Sequence, residues 1–160
     1  AVGYAAARAG ELVTLVEETT RSAVANVVRE GVLEGWSTKR IADELRSTYD
    51  GFKGMRAETI ARTETGNAMN AGKHMHAKAV EEEYPDLKIE KTWTPVYGDD
   101  RTREWHRPSS ISAENNGSTS IPLKDDFIIH GKEMARPHDE RGGADNVINC
   151  RCVLTYAAED

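Results

Sequence analysis

The chain has 160 residues, 38% of them hydrophobic, with a net charge of −6, two cysteines and ten aromatic side chains. No apolar run approaches the ~18 residues of a membrane span, two cysteines cannot staple a secreted disulfide scaffold, and the acidic balance argues against a bulk nucleic-acid coat. The low apolar content and a mean hydropathy of −0.63 predict a soluble chain whose core is small or completed by a partner. The chain opens on Ala1, without Met or a leader-like segment, which reads as a fragment of a longer protein.

Charge divides evenly, with −3 over residues 1–86 and −3 over 87–160, but proline does not. Pro85 alone falls in the first half, at its end, whereas Pro95, Pro108, Pro122 and Pro137 punctuate the second. Helices are therefore expected before residue 86, and strands and loops after it. Residues 4–33 read as one long helix, or two joined near Gly10, with a narrow stripe of Leu12, Val13, Val16, Ala23, Val24, Val27 and Val28 suited to a partner helix. After Glu34-Gly35-Trp36, Ser37 or Thr38 caps a second helix carrying Ile41, Ala42 and Leu45, which Asp50-Gly51 ends.

A third helix is expected over about 54–83. Ala57, Ala61, Glu64, Ala68, Ala71, Met75 and Ala79 follow alternating four- and three-residue steps and so share a small-residue face. Glu64 in its middle needs a partner. Beside it runs a polar row of Thr63, Asn67, Asn70 and His74, and Glu58 is set to pair with Arg62 four residues on. His74 and His76 point apart and read as surface or polar-face residues.

Beyond Pro85, Leu87–Trp93 alternates as a strand. Gly98-Asp99-Asp100 is a turn, and 101–106 a short helix capped by Asp99 or Asp100. Residues 109–120 read as polar loop, 126–130 as a short strand, 135–146 as loop and 147–157 as a final strand. The fold class is α+β: a helical N-terminal half of three helices (1–86) packed on a small, mostly antiparallel β-rich half (87–160), one folded unit with a helical extension.

Two clusters could carry chemistry. Asp99–His106 holds three acids, two guanidiniums and an imidazole. It reads as a structural network in which Arg101 or Arg103 pairs with a buried acid such as Glu64. The alternative is a nucleic-acid- or nucleotide-directed enzyme site of Asp100, Arg101 and His106, with arginines gripping phosphate and the imidazole moving protons. Cys150 and Cys152 flank Arg151 in the expected last strand, both sulfurs on one face. They read as buried reduced thiols, as half a zinc site completed among His106, His130, His138 and Asp139, or as a strained disulfide. His130 reads as a satisfied structural histidine and His138 as the most exposed candidate ligand. Lys39, Arg40, Arg46, Lys53 and Arg56 are scattered basic positions for direct DNA contact.

Ala61-Arg62-Thr63-Glu64-Thr65 with Asn67 and Ala71, then Lys91-Thr92-Trp93, then Asp100-Arg101-Thr102-Arg103 with His106, and finally Asn149-Cys150-Arg151-Cys152 resemble, in order and spacing over about residues 36–156, the head-morphogenesis proteins of the phage Mu protein F-like type. The resemblance implies a minor head protein of a tailed bacteriophage, bound at the portal vertex or inside the capsid. It would be assembled in the bacterial host cytoplasm and resident in the virion, acting in head assembly and genome packaging or delivery, without catalysis. Implied partners are the portal, other head proteins, copies of itself and phage DNA. The family domain is usually the C-terminal part of a longer chain. Many relatives carry Cys-x-x-Cys where this chain has Arg103-x-x-His106, and His-Pro-x-Cys-Arg-Cys where it has residues 147–152, so His106, Cys150 and Cys152 keep three of four implied zinc positions. Arg103 cannot bind metal, which favours an arginine-centred network of Arg62, Glu64, Asp100, Arg101, Arg103 and His106.

Overall fold

The computed structural model describes residues 18–48, 55–96 and 100–159. The expected stripe of Leu12, Val13 and Val16, the Gly10 junction, the Asp50-Gly51 stop, Lys53 and Asp99 lie outside them. Among the described residues three helices come first: α1 (Glu18–Leu33), α2 (Thr38–Thr48) and α3 (Met55–Glu83). The rest is β1 (Lys88–Thr94), a 3-10 turn (Glu104–His106), α4 (Pro108–Glu114), β2 (Ser120–Pro122), β3 (Phe127–Ile129), β4 (Lys132–Met134), a second 3-10 turn (Glu140–Gly142), α5 (Ala144–Val147) and β5 (Val153–Glu159). The α+β class is as expected, helices first and antiparallel strands after. No described helix is long and apolar enough to cross a membrane.

The helical core joins Val24 and Val28 of α1, the three expected residues Ile41, Ala42 and Leu45 of α2, and Ala57, Ile60 and Ala61 of α3. Ser37 caps α2 by accepting the Arg40 amide at 3.2 Å. Glu58 bonds Arg46 of α2 at 2.8 Å, while Arg62, its expected partner, reaches across to Asn149 Oδ1 at 3.0 Å. A contact between elements here takes the place of the expected pair within the helix.

The small-residue face of α3 is buried only as far as Ala71; Met75 is 44% exposed and Ala79 is also exposed. The helical hairpin of α1 and α2 covers the first part of α3, and past Ala71 that face has no such cover. The polar row is the buried one throughout: Thr63, Asn67, Asn70 and His74 are all at most 7% exposed. His74 thus lies on the polar face and is interior rather than at the surface, because this row faces the β-rich half. Small residues on one side of α3 meet helices, and amides and hydroxyls on the other meet backbone.

The three-stranded sheet has the order β2-β1-β5, antiparallel throughout, with Lys91 opposite Ile121 and Tyr156. Alternation along β1 buries Ile89, Lys91 and Trp93. Lys91 is therefore a fully buried lysine, its Nζ donating to Ala135 O at 2.8 Å and lying 5.3 Å from the Phe127 ring. A second core gathers Trp93, Ile111, Phe127, Ile129, Met134, Val147, Cys150, Cys152 and Leu154.

Several expected boundaries are corrected. The polar run 109–120 contains α4, nucleated by Pro108 in its first turn and anchored by buried Ile111, and it leads into β2. The final strand begins at Val153, since α5 occupies 144–147 and Asn149 turns the chain with φ of 58°. Cys150 and Cys152 consequently precede the strand. β3 and β4 form a hairpin whose two turn residues, His130 and Gly131, have φ of 53° and 71°; both amides donate to the Glu114 carboxylate. His130 is exposed there, its ring stacked on Trp105 at 4.6 Å, rather than satisfied in a core.

Candidate functional site

Two short segments meet beside Trp93. The 3-10 turn Glu104–His106 delivers His106, which is 1% exposed and edge-on to Trp93 at 5.5 Å. The extended segment 149–152 delivers Cys150 and Cys152, 2% and 3% exposed and both free thiols. Each sulfur lies 3.6 Å from His106 Nδ1. Among the described residues, His106, Cys150 and Cys152 are the one group of three ligand-type side chains whose donor atoms all fall within 4.8 Å of one another.

Asn146, fully buried in α5, sets the imidazole. Its Nδ2 donates to Gly142 O at 3.0 Å and Ile129 O at 3.4 Å, which turns Oδ1 toward Trp105 Nε1 at 2.9 Å and His106 Nε2 at 3.1 Å. The carbonyl oxygen accepts both bonds, so His106 carries its hydrogen on Nε2 and presents the bare Nδ1 to the sulfurs. A hydrogen bond couples the two sulfurs. Cys150 is held well below the ordinary thiol range by a hydrogen bond from Cys152, against the cost of its burial and with help from His106. Cys152 is pushed up by the same bond and by its own burial. The pair favours one thiolate and resists a second.

The polar row of α3 clamps this segment. Thr63 Oγ1 accepts the Asn149 amide at 2.9 Å, and Asn70 donates to Cys152 O at 3.1 Å while accepting the Leu154 amide at 3.1 Å. His138 Nε2 donates to Cys150 O at 2.9 Å, and its Nδ1 accepts from Asn70. Arg103 donates to Ile148 O.

His138, expected as the most exposed candidate ligand, is 1% exposed, because its loop folds under α3 onto Gly66. Burial holds it below the usual imidazole range. It bonds a backbone carbonyl and is no third or fourth ligand. Asp139, another candidate, is taken by Arg141 at 2.7 Å.

The remaining predicted positions divide. Arg103 stands beside the thiols, and its charge bears on Cys152. Arg62 grips the neighbouring Asn149. Arg101 is exposed at the rim of a small cavity that His106 and both cysteines also line. Asp100 is exposed in the preceding turn. Glu64 is buried at 1% exposure and partnered. Asn146 and Asn70 were not foreseen at the site, and His138, expected there as a metal ligand, instead bonds the Cys150 carbonyl. The three- and four-residue spacing of Thr63, Asn67, Asn70 and His74 carried the signal for Asn70, and nothing marked Asn146.

Residues 22–155 match the family model described as Phage Mu protein F like protein. No curated protein and no solved structure matches the chain. The matched span takes in α2, α3, the sheet and the His106–Cys150–Cys152 cluster, and with most of its length matched the chain belongs to the Phage Mu protein F like family, a family of phage head morphogenesis.

Proposed function

We propose that the chain is a minor head protein of a tailed bacteriophage, a portal- or capsid-associated component of the virion that acts in assembly and in genome packaging or delivery without catalysing a reaction. The family match over residues 22–155 carries this reading. The enclosure of His106 supports it: the ring is bonded to Asn146 and buried, whereas an enzyme acting on nucleic acid would turn it toward substrate. Thr63 and Asn70 of the polar row serve backbone anchoring in the same way. The helical half offers Leu33, Met69 and Met75, each at least 44% exposed, as apolar contacts for neighbouring head proteins or further copies.

The test is a phage from which this coding segment is deleted and then supplied in trans. Heads that assemble aberrantly, or fill with less DNA, and recover on complementation are the expected result. Cross-linking in purified particles should then join the chain to the portal, to another head protein or to DNA. Normal heads, normal DNA content and absence of the chain from purified virions would refute the proposal.

A further inference from the structure

We propose that His106, Cys150 and Cys152 bind one zinc ion, with a water as its fourth ligand. The distances carry the inference. With Zn–S of about 2.3 Å and Zn–N of about 2.0–2.1 Å at tetrahedral angles, sulfur and nitrogen stand about 3.5–3.6 Å apart. Both sulfurs lie 3.6 Å from the same Nδ1. A thiol hydrogen bond accounts for one such contact only, because Nδ1 has a single lone pair; a shared metal accounts for both.

The surroundings fit. The Asn146 carbonyl oxygen holds the hydrogen on Nε2 and leaves Nδ1 free to ligate, the outer-shell arrangement that ligating histidines require. A cavity of about 10 Å³ is lined by all three donors, with Arg101, Arg103 and Arg151 also on its walls. That volume suits a single water-sized occupant. Two thiolates and a neutral imidazole cancel the 2+ charge, so the centre is neutral and tolerates the nearby Arg103 guanidinium. Filling the site replaces two buried thiols competing for one imidazole by three satisfied donors. It also ties the 104–106 turn to the 149–152 segment, which α3 holds from the other side.

The proposal goes beyond the head-protein reading and stands or falls apart from it. The test is metal content of the chain purified without chelator, followed by cobalt(II) substitution. About one zinc per chain, and a cobalt spectrum with thiolate charge-transfer and tetrahedral d–d bands, are expected. Asn146→Asp, which keeps an acceptor for Nε2, should retain zinc. Asn146→Ala, which removes the acceptor, should weaken zinc by about 10–100-fold in chelator competition. Arg103→Cys, which adds a thiolate beside the open position, should tighten it. Folding of each variant is checked by circular dichroism. A folded wild-type chain that holds no zinc after equilibration with zinc chloride, or binds cobalt only with the pale spectrum of an octahedral oxygen site, would overturn the proposal.

Discussion

Gly66→Ala sets helix propensity against tertiary packing, and the two give opposite signs. Gly66 lies inside the 29-residue α3, where alanine is favoured over glycine by about 1 kcal/mol. A Cβ on Gly66, however, would stand 2.5 Å from His138 Cε1 and 2.6 Å from its Nε2. The ring cannot swing away cheaply, because Nε2 holds Cys150 O at 2.9 Å and Nδ1 holds Asn70. Overpacking costs about 1–3 kcal/mol, and each buried polar group left unpaired costs about 1–3 kcal/mol more. With one such group unpaired, the net expectation is a loss of about 1–5 kcal/mol, a large share of the roughly 5–15 kcal/mol of a typical domain. Urea unfolding followed by circular dichroism, with Gly66→Ala measured in the native and in a His138→Ala background, separates the terms. Alanine should destabilise the native chain and stabilise the His138→Ala chain by up to about 1 kcal/mol. A Gly66→Ala chain more stable than the native one would refute the close approach of His138 to α3.

Three further outcomes follow from buried polar groups. Asn146→Ala strands the Trp105 and His106 ring N–H groups and two carbonyls; it should cost about 3–6 kcal/mol in urea unfolding, and a loss below about 1 kcal/mol would contradict the network. Burial pushes Lys91 down to about 8 from its ordinary 10.5, so between those values the unfolded chain binds more protons and stability should rise with pH. Lys91→Met should abolish that rise, and an identical pH profile in the variant would count against a buried lysine. Burial likewise pushes His74 down to about 4 from 6.5, with Lys91 adding to the effect. Its neutral form stabilises the fold above pH 6.5, and that contribution drains away as pH falls toward 4; thermal melts of His74→Gln across this range should show a shallower acid loss than the native chain.

Much of the fold is legible along the chain because its causes are local. The buried set Ile41, Ala42 and Leu45, the Ser37 cap and the extent of α3 follow from apolar spacing and capping within a few residues. Alternation marks β1 and puts Lys91 on the face of Ile89 and Trp93; that a lysine on this face is fully buried is decided by the packing of Phe127 and Ala135 around it. The helix α4 and strand β2 are hidden by composition, since 109–120 is mostly polar and depends on the single buried Ile111 and on pairing with β1. At the site, the three donors His106, Cys150 and Cys152 are recognisable from their residue types. Asn146, which orients the imidazole, has no such chemical label in a stretch that reads as loop.

Short-range periodicity and capping thus decide where the helices run and which of their residues seek cover. Only the tertiary structure decides which polar residues are interior. Arg62 bonds a residue 87 positions away, Thr63 one 86 away, and Asn70 meets His138 across 68. Burying a polar group is costly unless a partner is supplied, and here the partners are backbone and side-chain atoms of distant segments. No spacing within one segment can announce them, which is why Lys91 reads as an ordinary strand position and His138 as an exposed ligand until the two halves are brought together.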